Sequence, residues 1–292
     1  MGSGWALVGG PKGGIGPRDG ACVFRRARER QRKEESVSRS YVVTGGGRGI
    51  GKAVAERLLA DGGTVVAVER DPAALAWLDV HPARARLIGV AGDAADETVA
   101  ERAADLAQAA GALVGWVNNA AVFRDASVHS STTREVLDLI AANLDSAVVG
   151  CATAIRRFIA AGTRGAIVNL SSHQARRAVP GCLAYVTAKA AIEGMTRALA
   201  VEYGPHGIRI NTVAPGSVDT ERHAEFLGSR EPADAARIER EMALLHPLGR
   251  VARSREVAAA IAYLLSGDAG FITGATVPVD GGRSVLAHDP EA

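Results

Sequence analysis

The sequence predicts an α/β fold, doubly wound: a parallel sheet with helices on both faces. Two observations carry that reading. Short β-branched or apolar runs alternate with longer helical stretches, the pattern of strands joined by helical crossovers. A glycine-rich turn, GGGRGIG at 45–51, also stands between the first such run and the first helix. Residues 40–44 (SYVVT) are the first strand and 52–60 an Ala/Leu-rich helix. TVVAVE at 64–69 is the second strand, and Asp71 with Pro72 opens the next helix. The third strand spans 86–90, backed by a helix at about 96–110. The fourth spans 113–117 and leads into a long helix around 133–161. AIVNL at 166–170 is the fifth, followed by a helix at 183–203 with no proline until Pro205. Residues 208–213 make a sixth strand. A polar segment at 217–247, a helix at 255–265 and a last strand near 276–279 complete the series. No internal repeat interrupts it, so 39–285 is expected to form a single domain.

The 292 residues are 47% hydrophobic and 23% charged, an ordinary globular balance with room for one full core. No apolar run approaches the ~18 residues of a membrane span. Residues 1–38 hold eight Lys/Arg and four Asp/Glu. The other 254 therefore hold 26 of the 34 basic and 28 of the 32 acidic residues. The formal +2 comes from this leader, which is expected to be a solvated, disordered tail, with translation starting near Val37; 286–292 is a second tail. The near-neutral body predicts no nucleic-acid surface. The leader lacks the apolar stretch of a secretory signal. Cys22, Cys151 and Cys182 are odd in number and far apart, so no zinc site or other metal site and no disulfide framework is expected. A reducing cytoplasmic location fits that usage.

Tyr185 and Lys189 sit four residues apart in the 183–203 helix, on one face and one turn apart. A phenol has an unperturbed pKa of about 10, and lowering it by about three units takes ~4 kcal/mol. One ammonium about 4 Å away supplies roughly that at an effective dielectric of about 20. The pair therefore reads as a tunable acid–base, with Ser172 placed at the end of AIVNL to hold a substrate oxygen. On its own the spacing is weak, because such pairs also arise on helix surfaces.

Gly45, Gly49 and Gly51 fall directly after the first strand and open the first helix. Glycines there let backbone approach a pyrophosphate, and the free N–H groups of the helix start attract its charge. Glu69 ends the second strand about 20 residues on, where an acid accepts hydrogen bonds from an adenosine ribose and repels a 2′-phosphate. Arg48 and Arg70 would pair with that phosphate. The balance favours NAD, with NADP as the alternative.

Together, TGGGRGIG at 44–51, NNAA at 118–121, Asn143, Ser172 and YVTAK at 185–189 resemble the short-chain dehydrogenase/reductases. NTVAPG at 211–216 and ITGATVPVDGG at 272–282 extend the likeness over about 40–282. The resemblance implies a Rossmann-type domain with a seven-stranded parallel sheet, assembled as a homotetramer or dimer. It implies a catalytic set of Asn143, Ser172, Tyr185 and Lys189. Ser172 would polarise the substrate oxygen and Tyr185 exchange the proton. Lys189 would lower the tyrosine's pKa and hold the nicotinamide ribose, and Asn143 would hold a water linked to Lys189. Cofactor contacts would come from Gly45, Arg48, Gly49, Ile50, Gly51 and Glu69, with Asp93 beside the adenine and Asn119 near the adenosine ribose. Tyr185, Lys189, Gly216, Val218 and Thr220 would face the nicotinamide end. Plainer readings exist: Asn143 an ordinary helix side chain, Asp93 a turn acid, Thr220 a helix N-cap. Ala121 stands where the family usually has glycine, and Thr187–Ala188 where Ala–Ser is common.

The expected function is hydride transfer between a nicotinamide and a secondary alcohol or ketone. Substrate choice would lie in 217–247, long and polar enough for a lid, with His173, Gln174, Cys182 and His223 as pocket candidates. An NADPH-dependent 3-oxoacyl reductase is the alternative enzyme. A non-catalytic nicotinamide-binding sensor or interaction module is the alternative outside enzymes.

Overall fold

The structure, a computed structural model, describes residues 38–124 and 126–287. The expectations for residues 1–37, including Cys22, and for 288–292 lie outside the described residues. Ser38 was assigned to the leader from sequence, yet its carbonyl accepts from Ala112 N at 2.8 Å and so joins the fold.

In chain order, β1 (Arg39–Thr44), α1 (Gly49–Ala60) and β2 (Thr64–Glu69) open the structure. The helix expected after Asp71–Pro72 is a 3-10 turn at Pro72–Leu75 and a single turn, α2 (Trp77–Val80). Then come β3 (Leu87–Ala91), α3 (Glu97–Ala110), β4 (Ala112–Asn118), α4 (Thr133–Ala161), β5 (Ala166–Leu170), α5 (Leu183–Tyr203) and β6 (Arg209–Pro215). The polar segment, for which no element was expected beyond a helix that Thr220 could cap, carries β7 (Val218–Asp219), α6 (Glu221–Gly228) and α7 (Pro232–Leu244). β8 (Ala252–Arg253), α8 (Ser254–Leu265) and β9 (Thr276–Val279) follow.

Seven strands form one parallel sheet in the order β3-β2-β1-β4-β5-β6-β9, the doubly wound Rossmann-type arrangement expected. The chain leaves β1 toward β2 and β3, then returns to β4 on the other side. This reversal opens a crevice at the carboxyl ends of β1 and β4. Val42 pairs in register with Val66 and Trp116, while its neighbour Val43 points to the other face. One core joins Val43, Val65, Val117 and Val168 to Val54 and Leu58 of α1 and Ile261 of α8. The other joins Val42, Trp116 and Ile167 to α3, α4 and α5. The fully buried residues of α3 are all alanines, Ala100, Ala103, Ala104 and Ala107, which lets it lie close to the sheet.

α4 is capped at both ends. Thr132 and Glu135 form a reciprocal capping box, and Gly162 closes it at φ 64°. By length and composition it could span a membrane, which the run-length reading did not anticipate. Its inner face, with Ala147, Cys151, Ala154, Ile155 and Phe158, is instead buried in the core.

Beneath the sheet's carboxyl edge runs a chain of buried polar groups. Trp116 Nε1 donates to Asn118 Oδ1 (2.9 Å), and Asn118 Nδ2 donates to Asn169 Oδ1 (2.8 Å). Asn169 Nδ2 donates to Thr196 Oγ1 (2.9 Å), and Thr212 Oγ1 is 2.8 Å from the same hydroxyl. Strands β4, β5 and β6 are thereby tied to α5. Gly150 of α4 leaves room for this chain, since a Cβ there would stand 2.0 Å from Asn118 Oδ1. Gly150→Ala is expected to cost about 1–3 kcal/mol by overpacking, read as a lower urea midpoint at unchanged slope.

Candidate active site

The strand-end loops converge on the crevice. β5 ends at Leu170, and Ser172 follows as the N-cap of a 3-10 turn, its Oγ accepting from Gln174 N at 3.2 Å. α5 then presents Tyr185 and Lys189 one turn apart. Lys189 is 2% exposed, its Nζ 5.5 Å from the Tyr185 ring centroid and 2.7 Å from Leu170 O, to which it donates. Burial pushes Lys189 down to about 8, because an ammonium loses its hydration there. Burial pushes Tyr185 up to about 12, opposed by a hydrogen bond with Ser172 and by the charge of Arg222. The lysine alone was expected to bring the phenol down. The net movement is upward, since desolvation of the phenolate outweighs the Ser172 hydrogen bond and the Arg222 charge.

Asn143, 2% exposed, uses both ends of its amide on backbone. Its Oδ1 accepts from Val122 N at 2.9 Å and its Nδ2 donates to Leu139 O at 3.0 Å. It fastens the segment after β4 onto α4.

At the glycine turn, Gly45 and Gly49 have φ of 65° and 55°, open to glycine at little cost. A Cβ on Gly51 would meet Gly45 O at 2.0 Å. Asn119 clasps β4 to β1: its Nδ2 donates to Thr44 O and Gly45 O, each at 3.0 Å, and its N–H to Thr44 Oγ1 at 3.0 Å. The Glu69 carboxylate accepts from Gly47 N (3.2 Å) and Arg70 N (2.9 Å). Arg48 pairs with Asp71 at 3.7 Å. Asp93 is exposed and accepts from Ala95 N at 2.9 Å, a turn acid, while Asp96 caps α3. Thr220 caps α6, accepting from His223 N at 3.2 Å. Gly216 N donates to Val279 O, and Val218 pairs with Ala252 in β7–β8.

The first N–H of α1 already holds an anion. Gly49 N donates to the Glu221 carboxylate of α6 at 2.8 Å. A glycine cradle, a helix start that binds carboxylate oxygen, and an acid closing β2 together fit a dinucleotide. Beside it, a cleft of about 630 Å³ opens between α1, α6 and β8, lined by Lys52, Glu56, Thr220, Arg253 and Arg255.

A family model described as enoyl-(acyl carrier protein) reductase matches residues 45–284. The chain is also 37% identical over 254 residues to the short-chain reductase protein NovJ of Streptomyces niveus, covering 86% of this chain and 94% of that one. The chain belongs to the short-chain dehydrogenase/reductase family. Levodione reductase of Leifsonia aquatica is 31% identical over 255 residues, covering 85% of this chain and 95% of the relative. The ligand-free aldohexose dehydrogenase of Thermoplasma acidophilum superposes with a TM-score of 0.75 at 30% identity, over 86% of this chain and 96% of that one. Membership makes this short-chain dehydrogenase/reductase a nicotinamide-dependent enzyme acting on a CH–OH group.

The four pocket candidates separate. His173 is buried, with Nδ1 3.2 Å from Pro215 O, so that nitrogen carries the proton; Nε2 is buried without a partner. Burial and Arg283 push it down to about 4. Gln174 is half-buried with its Oε1 unpartnered, Cys182 sits half-buried at the N-cap of α5, and His223 is half-buried on α6. Thr187 turns its hydroxyl onto Leu183 O at 2.8 Å and leaves the site unaltered. Phe123 and Arg222 were not foreseen. The Phe123 ring lies 4.9 Å from that of Tyr185, and Arg222 Cζ lies 3.4 Å from the Phe123 centroid. The usable signal was position, since Phe123 directly follows NNAA-V at the mouth of the crevice.

Because the unfolded chain keeps the Lys189 proton to about 10.5 and the folded chain releases it near 8, the unfolded state binds more protons between those values. Stability is therefore expected to rise with pH across that window, at a slope approaching about 1.4 kcal/mol per unit. Urea denaturation at several pH values should show this slope in the wild type and its loss in Lys189→Met.

Proposed function

We propose that this enzyme moves a hydride between NAD and a secondary alcohol or ketone, with Ser172, Tyr185, Lys189 and Asn143 as its chemical group. The carrying observation is the buried Tyr185–Lys189 pair with Ser172 bonded to the phenol. Ser172 and Tyr185 share one hydrogen bond, so a substrate oxygen can be held by both. Tyr185 gives its proton to that oxygen in reduction and recovers it in oxidation. Lys189, poised near 8, accepts or returns protons close to neutral pH while anchored on Leu170 O. Asn143 holds the Val122 backbone in place at the crevice. When bound, the nicotinamide supplies or takes up the hydride.

Gly45, Arg48, Gly49, Ile50 and Gly51 would hold the pyrophosphate. Glu69, Asp93 and Asn119 would lie toward the adenosine, and Gly216, Val218 and Thr220, with Tyr185 and Lys189, toward the nicotinamide. NAD is favoured because the Glu69 carboxylate is fixed by three backbone N–H groups, of Gly47, Arg70 and Asp71, and Arg48 is engaged by Asp71. Residues 217–247 act as the substrate lid in this reading, supported by the Glu221 contact with Gly49. Fully exposed Phe271 supports a homo-oligomer, and the reduced thiols of Cys151 and Cys182 support a cytoplasmic location.

Tyr185→Phe is expected to lower kcat/KM for secondary alcohols by roughly 10²–10⁴-fold with NAD binding retained. Full turnover in that variant would refute the assignment. Glu69→Ala is expected to raise the NADP/NAD ratio of kcat/KM by about tenfold, through loss of repulsion and of ribose hydrogen bonds. A wild type that prefers NADP would overturn the cofactor reading.

A further inference from the structure

Three layers are stacked at the mouth of the site. The Arg222 guanidinium lies over one face of Phe123, 3.4 Å from its ring centroid. The Phe123 ring lies 4.9 Å from that of Tyr185, tilted by 31°. Arg222 belongs to the first turn of α6, whose approach is anchored twice: Ser254 Oγ donates to Asp219 O at 2.8 Å, and Glu221 accepts from Gly49 N at 2.8 Å. Phe123 covers that flank of the buried phenol while remaining 49% exposed itself, so the Arg222 charge acts on Tyr185 across the ring and partly through solvent. Among the described residues, the titratable or charged groups facing the phenol are Lys189 from α5, Cys182 at its N-cap and Arg222 from α6; Ser172 adds a hydrogen bond. The two cations differ in kind. Lys189 loses its charge as pH rises past about 8, whereas a guanidinium stays charged throughout the working range.

We propose that Arg222 is a positioning residue for Tyr185: carried by α6 and seated on Phe123, it supplies a fixed positive charge that favours the phenolate. The proposal rests on the reading of Tyr185 as the proton-transfer group. It makes the acidity of that group depend on where the 217–247 segment lies. Nothing covalent changes, and the effect is a charge acting across one aromatic ring.

The test replaces Tyr185 by 3,5-difluorotyrosine, a more acidic phenol that titrates within the range the fold tolerates. Phenolate absorbance is followed against pH in cofactor-free protein carrying Arg222, Arg222→Gln or Arg222→Lys. The guanidinium carbon is at most roughly 8 Å from the phenol ring, so losing its charge is expected to raise the midpoint by about one pH unit. The lysine variant should return most of that shift, and 1 M salt should shrink the difference between wild type and glutamine variant. Equal midpoints in wild type and Arg222→Gln, or a lysine variant that behaves like glutamine, would overturn the proposal in favour of a packing role. In the natural protein, the acidic limb of kcat for alcohol oxidation should move upward in Arg222→Gln by the same amount; an unmoved limb beside a lowered kcat would overturn it too. Since the absorbance titration needs neither NAD nor turnover, failure of the redox reading would appear separately, as absent turnover with the midpoints still displaced.

Discussion

The site depends on one buried chain of amides and hydroxyls. Trp116, Asn118, Asn169, Thr196 and Thr212 link three adjacent strands to the middle of α5 without reaching water. Each of these groups would be costly to bury alone, and Asn169 and Thr212 reach Thr196 only at one setting of α5 against the sheet. Thr196 lies seven residues past Lys189, two helical turns down one side of α5. Fixing it sets the depth at which Tyr185 and Lys189 meet the carboxyl edge of β5. Ser171 adds to the grip, with its hydroxyl on Lys189 O and on Glu193 at 3.2 Å each. Apolar packing drives α5 onto the sheet but does not fix its register. The polar chain does.

That fixed depth also explains the electrostatics. An ammonium and a phenol held dry are each pushed toward their neutral forms, Lys189 down to about 8 and Tyr185 up to about 12. Burial thus brings the Lys189 amine toward neutral pH, where it can exchange protons, and moves the phenol away from it. The site becomes useful only when charge or hydrogen bonds on the phenolate offset desolvation, and the structure shows two such groups, Ser172 and Arg222. A lysine argued at about 4 Å in a uniform dielectric therefore overstated its own effect. The geometry behind the argument was sound, but burial acts on the same group with opposite sign.

How much of this was legible in the sequence follows from range. Alternating apolar runs report which residues are buried locally, so the strands and longer helices fell within a few residues of their expected bounds. Tyr185 and Lys189 sharing a face needed only the helical repeat, and the glycine turn only its strand–helix setting. The 217–247 segment was read as polar, with no element beyond a helix that Thr220 could cap, because α6 and α7 bury no residue fully, leaving little apolar periodicity to detect. Phe123 and Arg222 were invisible for another reason. They are 99 positions apart in sequence, and nothing local to either tells of the other. The same holds for Asn118, Asn169 and Thr196, whose partnership is created by the sheet order.

The contact between Glu221 and Gly49 joins these strands of argument. A helix start offers few unpaired N–H groups, and one of them is held by a carboxylate from α6. A phosphate oxygen seeking that N–H competes with Glu221, and two anions at one donor repel each other. Binding at the glycine turn and docking of α6 through Glu221 are therefore opposed, whereas docking through Arg222 and Phe123 is not. The two contacts sit on consecutive residues, and because the first is made by an exposed, flexible carboxylate side chain, Glu221 can release Gly49 while Arg222 stays on Phe123. Thr220 caps the N-terminus of α6, and Ser254 holds Asp219 just before it. The start of α6 is thus held on both sides, and Arg222 lies within its first turn.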